Sequence, residues 1–299
     1  MGISILELMQ QRTVLFDGAM GSVLIEKGLK AGECPEGWNL THPEVIAGIH
    51  RAYFEAGADI VLTNTFGGNR IKLTSYGLAE RVEEINRQGA QVARSAIPED
   101  SSQPRFIAGD IGPTGQFLQP LGSYTEEEFR ELFAQQAAAL VSGGVDLLCL
   151  ETMYDAEEVK AALRGAIDGA GGRPVFATMT FQRSRKGFFT MMGLEAAAAM
   201  RLLEENGAQA VGANCSTGAE DMAELVRILR GATVLPLIAQ PNAGSPVIEE
   251  GKARYLQRPE EFGRAVLGLI EAGASAVGGC CGTNPEFIRA LAAQLRERR

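Results

Sequence analysis

Short apolar runs alternate with longer amphipathic stretches along almost the whole chain. Each run is followed by a polar or glycine-rich turn, and then by roughly 12 to 18 residues with helical spacing of apolar positions. The runs predict eight strands, over residues 14–16, 59–63, 105–110, 145–150, 174–181, 208–215, 235–240 and 274–281. Because these runs are continuously apolar, they are typical of parallel strands that are buried on both faces.

The stretches between the runs begin and end with residues that are typical of helix termini. Predicted helices cover residues 43–56, 80–96, 155–167, 194–205, 219–229, 258–272 and 285–298, and one more opens at Thr125. Pro43 suits the first turn of a helix, and the spacing of Thr125 and Glu128 is that of a capping box. Glycines placed for left-handed caps before the next strand are Gly57, Gly207, Gly231 and Gly273.

Eight strand–helix units predict an α/β protein, a parallel (β/α)₈ TIM barrel forming a single domain over residues 1–299. The alternative is an open doubly wound sheet, but no GxGxxG turn follows the first strand. No linker, repeat or low-complexity segment indicates a second domain. The insert over residues 30–39, with Cys34 and Trp38, is predicted to form a loop on one rim.

The composition excludes some classes of partner and indicates the cellular compartment. A net charge of −9 argues against nucleic acid or an anionic membrane as a partner. No apolar stretch approaches the ~20 residues that span a bilayer, and the first seven residues lack the pattern of a signal peptide. Five cysteines without disulfide-framework spacing predict a reducing compartment, and we expect the cytoplasm.

Two adjacent cysteines, Cys280 and Cys281, end the eighth run between glycines. Adjacent cysteines bridge each other poorly, so in a reduced compartment they are better explained as metal ligands. A zinc site needs a third protein ligand, and Cys215 at the end of the sixth run is the best candidate. We therefore expect zinc bound by these three cysteines, with one position open for a substrate thiol. The alternative is that all three are buried core residues.

Polar and thiol side chains gather at the ends of the predicted strands. In a parallel barrel these ends share one face, and that face holds the active site. Cys149 lies in the middle of its strand and is predicted to be a core residue. The residues predicted at the shared face are Asp17, Asn64, Asp110, Glu151, Thr180, Cys215, Asn242, Cys280 and Cys281.

Six segments, taken together and in order, resemble the homocysteine S-methyltransferase family. They are residues 17–21, 64–66, 111–115, 151–152, 212–215 and 278–283. The resemblance extends from residue 10 to residue 295. Residues 64–69 and 151–155 are most similar to the homocysteine module of cobalamin-dependent methionine synthase. They are less similar to the branches that use betaine or S-methylmethionine.

The resemblance implies a ligand set and a substrate site. It implies that zinc is held by Cys215, Cys280 and Cys281, with the sulfur of homocysteine as the fourth ligand. Asn242 matches an Asn that occupies this position when substrate is absent; the alternative is that it serves only its own turn.

The amino-acid part of the substrate has its own expected partners. Glu151 and Asp17 are expected at the ammonium, and the amides of Gly18, Ala19 and Met20 suit the carboxylate. The alternative for Glu151 is a structural network at the rim, and for Asp17 a cap on its turn.

The implied activity is that of a zinc-dependent methyltransferase, which moves a methyl group to the zinc-bound thiolate of homocysteine and forms methionine. The expected donor is methylcobalamin on a separate protein or domain, since nothing in this chain resembles a cobalamin-binding domain. Alternatives are a small-molecule donor such as S-methylmethionine, another thiol acceptor, and a non-catalytic zinc scaffold or docking module for a corrinoid protein.

Overall fold

The computed structural model describes residues 3–99, 103–249 and 252–297. The strands in these residues are β1 (Val14–Leu15), β2 (Ile60–Leu62), β3 (Phe106–Ile111), β4 (Leu147–Met153), β5 (Val175–Met179), β6 (Gln182–Ser184), β7 (Gly187–Phe189), β8 (Ala210–Asn214), β9 (Leu237–Gln240), β10 (Val247–Glu249), β11 (Lys252–Arg254) and β12 (Ala276–Val277).

The helices surround these strands. They are α1 (Ile5–Gln11), α2 (Met20–Glu26), α3 (Trp38–Thr41), α4 (Pro43–Ala56), α5 (Arg70–Thr74), α6 (Val82–Ser95), α7 (Glu126–Ser142), α8 (Ala156–Gly169), α9 (Ala196–Glu205), α10 (Ala219–Ala232), α11 (Pro259–Glu271) and α12 (Pro285–Glu297), with a 3₁₀ turn at Ala79–Arg81. None of the helices that the structure describes is long and apolar enough to cross a bilayer.

Eight of the strands form one parallel sheet in the spatial order β1–β12–β9–β8–β5–β4–β3–β2. The sheet closes on itself where Phe16 bridges Ile60 and the Asp59 amide donates to the Leu15 carbonyl at 2.7 Å. The predicted single-domain (β/α)₈ barrel is thus confirmed. The antiparallel hairpins β6–β7 and β10–β11 follow β5 and β9 and were not predicted from the sequence.

The apolar core has two layers, inside the barrel and between the barrel and its helices. Alternate strand residues such as Phe16, Phe176 and Ile238 fill the barrel interior. Cys149 belongs to this layer and is fully buried, which confirms its predicted place in the core. The larger outer layer packs the strands against the surrounding helices.

Helix α1 fills the barrel end that lies opposite the predicted active-site face. Ser4 and Glu7 form a capping box that starts this helix. Its apolar face, Ile5, Leu8 and Met9, is buried in the same layer as the barrel interior. This end of the barrel is therefore packed with side chains.

Most predicted helix ends are confirmed. Thr125 and Glu128 form the expected capping box, and Gly57, Gly207 and Gly273 have left-handed φ angles of 113°, 91° and 110°. The prediction for Gly231 is wrong, because α10 continues to Ala232 and ends only where Thr233 becomes extended.

The rim insert is also more ordered than predicted. Its last residues begin α3, and Trp38 is buried and stacks on His42 with ring centroids 4.4 Å apart. The aromatic contact anchors a segment that its composition marked only as a loop.

We predict that Leu8→Ala lowers the free energy of unfolding by about 2–5 kcal/mol, because it leaves a cavity at the filled end of the barrel. Urea or thermal unfolding measures this. Gln10→Ala on the exposed side of the same helix is the control and should change stability by less than about 0.5 kcal/mol. Equal effects of the two substitutions would contradict the packing of α1 into the barrel.

Candidate metal and substrate site

Three cysteines meet at the C-terminal face of the barrel, and we call Cys215, Cys280 and Cys281 the cysteine cluster. Their sulfur atoms lie within 4.8 Å of one another, and Sγ of Cys215 is 3.7 Å from Sγ of Cys281. None of them is in a disulfide. The cluster therefore offers three thiol donors at one point, as the sequence predicted.

Backbone hydrogen bonds to the end of β9 hold the cluster together. The Cys215 amide donates to the Gln240 carbonyl at 3.0 Å, and the Cys280 amide donates to the Pro241 carbonyl at 2.8 Å. Because β9 lies between β8 and β12, one strand end fixes the segments that carry all three thiols.

Two glycines let the Cys280–Cys281 segment turn tightly. A Cβ atom on Gly279 would lie 2.5 Å from Oγ1 of Thr283. Gly282 has a φ of 80°, and a Cβ atom there would lie 2.2 Å from the ring of Tyr255. Residues with side chains do not fit at either position unless Thr283 or Tyr255 shifts.

Tyr255 is a neighbour of the cluster that sequence reasoning missed. Its ring packs on Gly282, and its hydroxyl contributes to lowering the pKa of Cys281. Burial, together with the nearby Cys281, raises the pKa of Tyr255, so the hydroxyl keeps its proton and acts as a donor. No periodicity marks this residue, because it follows a short hairpin.

The three thiols do not ionise independently. Hydrogen bonds from Cys215 and Cys280 lower the pKa of Cys281 to about 3, with Tyr255 contributing. Hydrogen bonding to Cys215 and Cys281, and burial, raise the pKa of Cys280 well above its usual value.

A cavity of about 320 Å³ extends from the cluster to the turn after β1. Residues from the ends of several barrel strands and from the rim insert line it. Those that bear on binding are Asp17, Gly18, Ala19, Met20, Glu36, Asn64, Asp110, Glu151, Cys215, Cys280 and Cys281.

Four carboxylates line this cavity: Asp17, Glu36, Asp110 and Glu151. Burial raises the pKa of Asp17 and Asp110 well above the usual range, and it raises that of Glu151 to about 7. Oδ1 of Asp17 and Oδ1 of Asp110 are buried without a hydrogen-bond partner in the described part of the chain. Buried carboxylates of this kind suit a cationic ligand, which supplies both charge and donors.

The turn after β1 is held in place from both sides. The Ala19 amide donates to Oγ1 of Thr283 at 3.1 Å, and its carbonyl accepts from the Tyr53 hydroxyl at 2.7 Å. A Cβ atom on Gly18 would lie 2.5 Å from the same Thr283 oxygen. Thr283 therefore joins this turn to the segment that carries Cys280 and Cys281.

Asn242 lies beside the cluster without lining the cavity. Its backbone amide donates to the Thr217 carbonyl at 2.9 Å, and the next residue, Ala243, donates to the Cys281 carbonyl at 3.0 Å. Oδ1 of Asn242 is buried and has no partner among the residues that the structure describes.

The other two predicted rim residues have local partners. Asn64 donates to the Pro35 carbonyl at 2.8 Å and so organises the rim insert. Thr180 is hydrogen-bonded to Ser216 at the exposed edge.

A sequence model of the homocysteine S-methyltransferase family matches residues 14–295. The chain belongs to this family. It is 37% identical over 304 aligned positions to a methionine synthase of Mycobacterium leprae, and 38% identical to that of Mycobacterium tuberculosis. Each alignment covers 97% of this chain but only 25% of the relative, so the chain spans about a quarter of the length of these proteins.

A solved structure has the same architecture. The metallated form of the homocysteine methyltransferase MmuM from Escherichia coli is 25% identical, with a TM-score of 0.78. The match covers 96% of this chain and 98% of the E. coli chain. This member of a methyltransferase family thus shares its fold with that enzyme over nearly the whole length of both.

Sequence reasoning also missed Glu36 and Asn214. Glu36 accepts from the Gly67 amide at 2.7 Å and lies in the rim insert, where no pattern points to the cavity. Asn214 directly precedes Cys215, and this position next to a predicted zinc ligand was the signal in the sequence that could have identified it.

We predict that Gly282→Ala lowers the free energy of unfolding by about 2–4 kcal/mol, because the new methyl group meets Tyr255 at a left-handed position. Thermal unfolding measures this, and titration with a chromogenic disulfide reports the changed exposure of the thiols. Gly231→Ala within α10, where a Cβ atom meets nothing within 4 Å, is the control and should be neutral or slightly stabilising. A stable Gly282→Ala chain with unchanged thiol reactivity would contradict the tight packing described here.

Proposed function

We propose that this chain holds Zn²⁺ through Cys215, Cys280 and Cys281, and that it methylates the sulfur of homocysteine bound at the remaining position. One observation carries this proposal. The Cys215–Cys281 sulfur separation is 3.7 Å, and two thiolates at ~2.3 Å from a tetrahedral zinc ion are expected about 3.8 Å apart.

The chemistry of the donor set fits zinc in a catalytic role. Catalytic zinc sites use three protein ligands and leave one position for water or substrate, whereas structural sites are closed by a fourth protein ligand. The cluster comprises three cysteines, and no other His, Cys, Asp or Glu of the described chain joins them. Similarity to a metallated homocysteine methyltransferase supports the same assignment.

Zinc, when bound, supplies a Lewis acid that keeps the substrate thiol deprotonated and nucleophilic near neutral pH. The residues of the chain then orient the amino acid. We assign Glu151 and Asp17 to its ammonium, since both carboxylates line the cavity and one oxygen of Asp17 has no hydrogen-bond partner among the described residues. The turn of Gly18 and Ala19 is assigned to the carboxylate of homocysteine.

Asn242 has a separate proposed role. Its side-chain oxygen is buried without a partner among the described residues, and the next residue is hydrogen-bonded to Cys281, so we assign Asn242 to the open position when substrate is absent.

We propose methylcobalamin on another protein or domain as the donor, with residues 1–299 as the homocysteine-binding domain. The two methionine synthases support this, because the chain matches only a quarter of their length. A small-molecule donor such as S-methylmethionine is the second candidate. It is favoured by the near-complete overlap with the E. coli enzyme, which leaves little of that chain for a carrier domain.

The donor assignment is tested by supplying zinc-loaded protein and homocysteine with each donor and measuring methionine. Turnover with methylcobalamin and none with S-methylmethionine is expected. The reverse result would replace the first candidate with the second. No methionine from either donor, in protein that binds homocysteine, would contradict both.

Each cysteine of the cluster is predicted to be required for zinc. Replacing Cys215, Cys280 or Cys281 by Ser should lower bound zinc from about one ion per chain to a small fraction, because a hydroxyl is a poor ligand for this ion. Elemental analysis after dialysis measures the content. Cys34→Ser is the control, since Cys34 lies outside the cluster, and should retain full zinc.

Glu151→Gln is predicted to raise the KM for homocysteine by about 10- to 100-fold, because a neutral amide replaces a charged partner of the ammonium. Bound zinc should not change. Steady-state kinetics with methionine as the product gives the value. Glu157→Gln on the exposed face of α8 is the matched control. An unchanged KM for Glu151→Gln would indicate a different thiol acceptor.

A further inference from the structure

Asn214 is the last residue of β8, and its side-chain amide is fully buried between Glu151 and the cysteine cluster. Its oxygen accepts from the Thr152 amide and from the Thr178 hydroxyl, both at 2.8 Å. Its nitrogen donates to the Thr152 hydroxyl at 2.7 Å. These three short bonds fix the amide plane.

The same nitrogen has a second hydrogen, which faces the Glu151 carboxylate and the Cys280 thiol. Oε2 of Glu151 lies 3.4 Å away, and Sγ of Cys280 lies 4.0 Å away. The separations are long for hydrogen bonds, so the direct attraction is weak. What the contacts establish is that one buried amide touches both the proposed ammonium partner and a proposed zinc ligand.

The chain on either side of these contacts is strained. Thr152 has a φ of 60°, and Cys215 and Ser216 have φ values of 63° and 62°. Residues other than glycine in this region cost about 1–3 kcal/mol each, and they persist only where the surroundings hold them. Asn214 bonds directly to Thr152 and is covalently joined to Cys215, so it is placed to hold both turns.

The position requires an amide rather than another polar group. Its oxygen must accept from an N–H and a hydroxyl, and its nitrogen must face a carboxylate and a sulfur. An aspartate would have no hydrogen to donate and would add charge beside Glu151. A leucine has nearly the same shape and none of these bonds.

We propose that Asn214 is a positioning residue that fixes Cys215 and Glu151 relative to each other. It thereby couples zinc binding to recognition of the amino-acid substrate. This inference rests on the proposed function of the site. Removal of the amide allows the turns at Thr152 and Cys215 to relax independently, which moves a metal ligand and the ammonium partner in the same variant.

Asn214→Leu is the test variant, and Asn86→Leu is its control. Asn86 is equally buried, donates to the Gly68 and Val82 carbonyls, and lies outside the cavity. Zinc affinity is measured by competition with a chromophoric chelator, and KM and kcat for homocysteine are measured on protein saturated with zinc. The cobalt-substituted proteins also report the geometry of the cluster through their sulfur-to-metal charge-transfer bands.

For Asn214→Leu we expect zinc affinity to fall about 10- to 100-fold. We expect the KM for homocysteine to rise with a smaller change in kcat, and the cobalt band to shift. The effect on KM should not add to that of Glu151→Gln, since both act through the same carboxylate. Asn86→Leu should lose stability but keep wild-type zinc affinity, KM and cobalt spectrum.

Unchanged zinc affinity and KM in a folded Asn214→Leu chain would overturn the proposal, and so would a change in only one of them. If this variant does not fold, Thr178→Val decides, because it removes only the hydroxyl that orients the amide. It should weaken both properties in the same direction by a smaller factor, and wild-type values would overturn the proposal. Failure of the wild-type chain itself to bind zinc would overturn the proposed function as well.

Discussion

The short approach of two sulfur atoms across the end of β9 is the constraint on which the site depends. Neighbouring strands lie about 4.8 Å apart, so the backbones of β8 and β12 are separated by roughly 10 Å on either side of β9. The thiols of Cys215 and Cys281 nevertheless come within 3.7 Å. The segments after both strands are hydrogen-bonded to the carbonyls of Gln240 and Pro241. Closure of the barrel thereby brings distant positions in the sequence together in one cluster of thiols.

Electrostatics gives the same cavity a preference for positive charge. Its walls bring three thiols and four carboxylates together, and burial raises the pKa of Asp17, Asp110 and Glu151. Such an arrangement is costly when every acidic group is ionised and unpaired. A divalent ion at the cluster and an ammonium at Asp17 and Glu151 would offset that cost at both ends. These are the two positive charges that the proposed zinc ion and the proposed amino-acid substrate would supply.

The sequence predicted the fold well because eight continuously apolar runs, each followed by a helical pattern, leave few alternatives to a parallel barrel. It also predicted the convergence of the three cysteines, since strand ends share one face. It did not predict Tyr255, Glu36 or the bonds of Asn214. These depend on the paths of a hairpin, a rim insert and a strained turn, which neither periodicity nor composition encodes. The prediction that a helix ends at Gly231 was wrong for another reason, because a helix with apolar residues near its end can continue past a glycine.

X-ray absorption at the zinc edge, with and without homocysteine, tests the central claim most directly. The account predicts zinc with three sulfur ligands at about 2.3 Å in the substrate-free protein, plus one lighter ligand. Addition of homocysteine should replace the lighter ligand and raise the sulfur count to four. A count that stays at three when homocysteine is bound, or a fourth protein sulfur already present without it, would contradict a zinc site with an open position for the substrate.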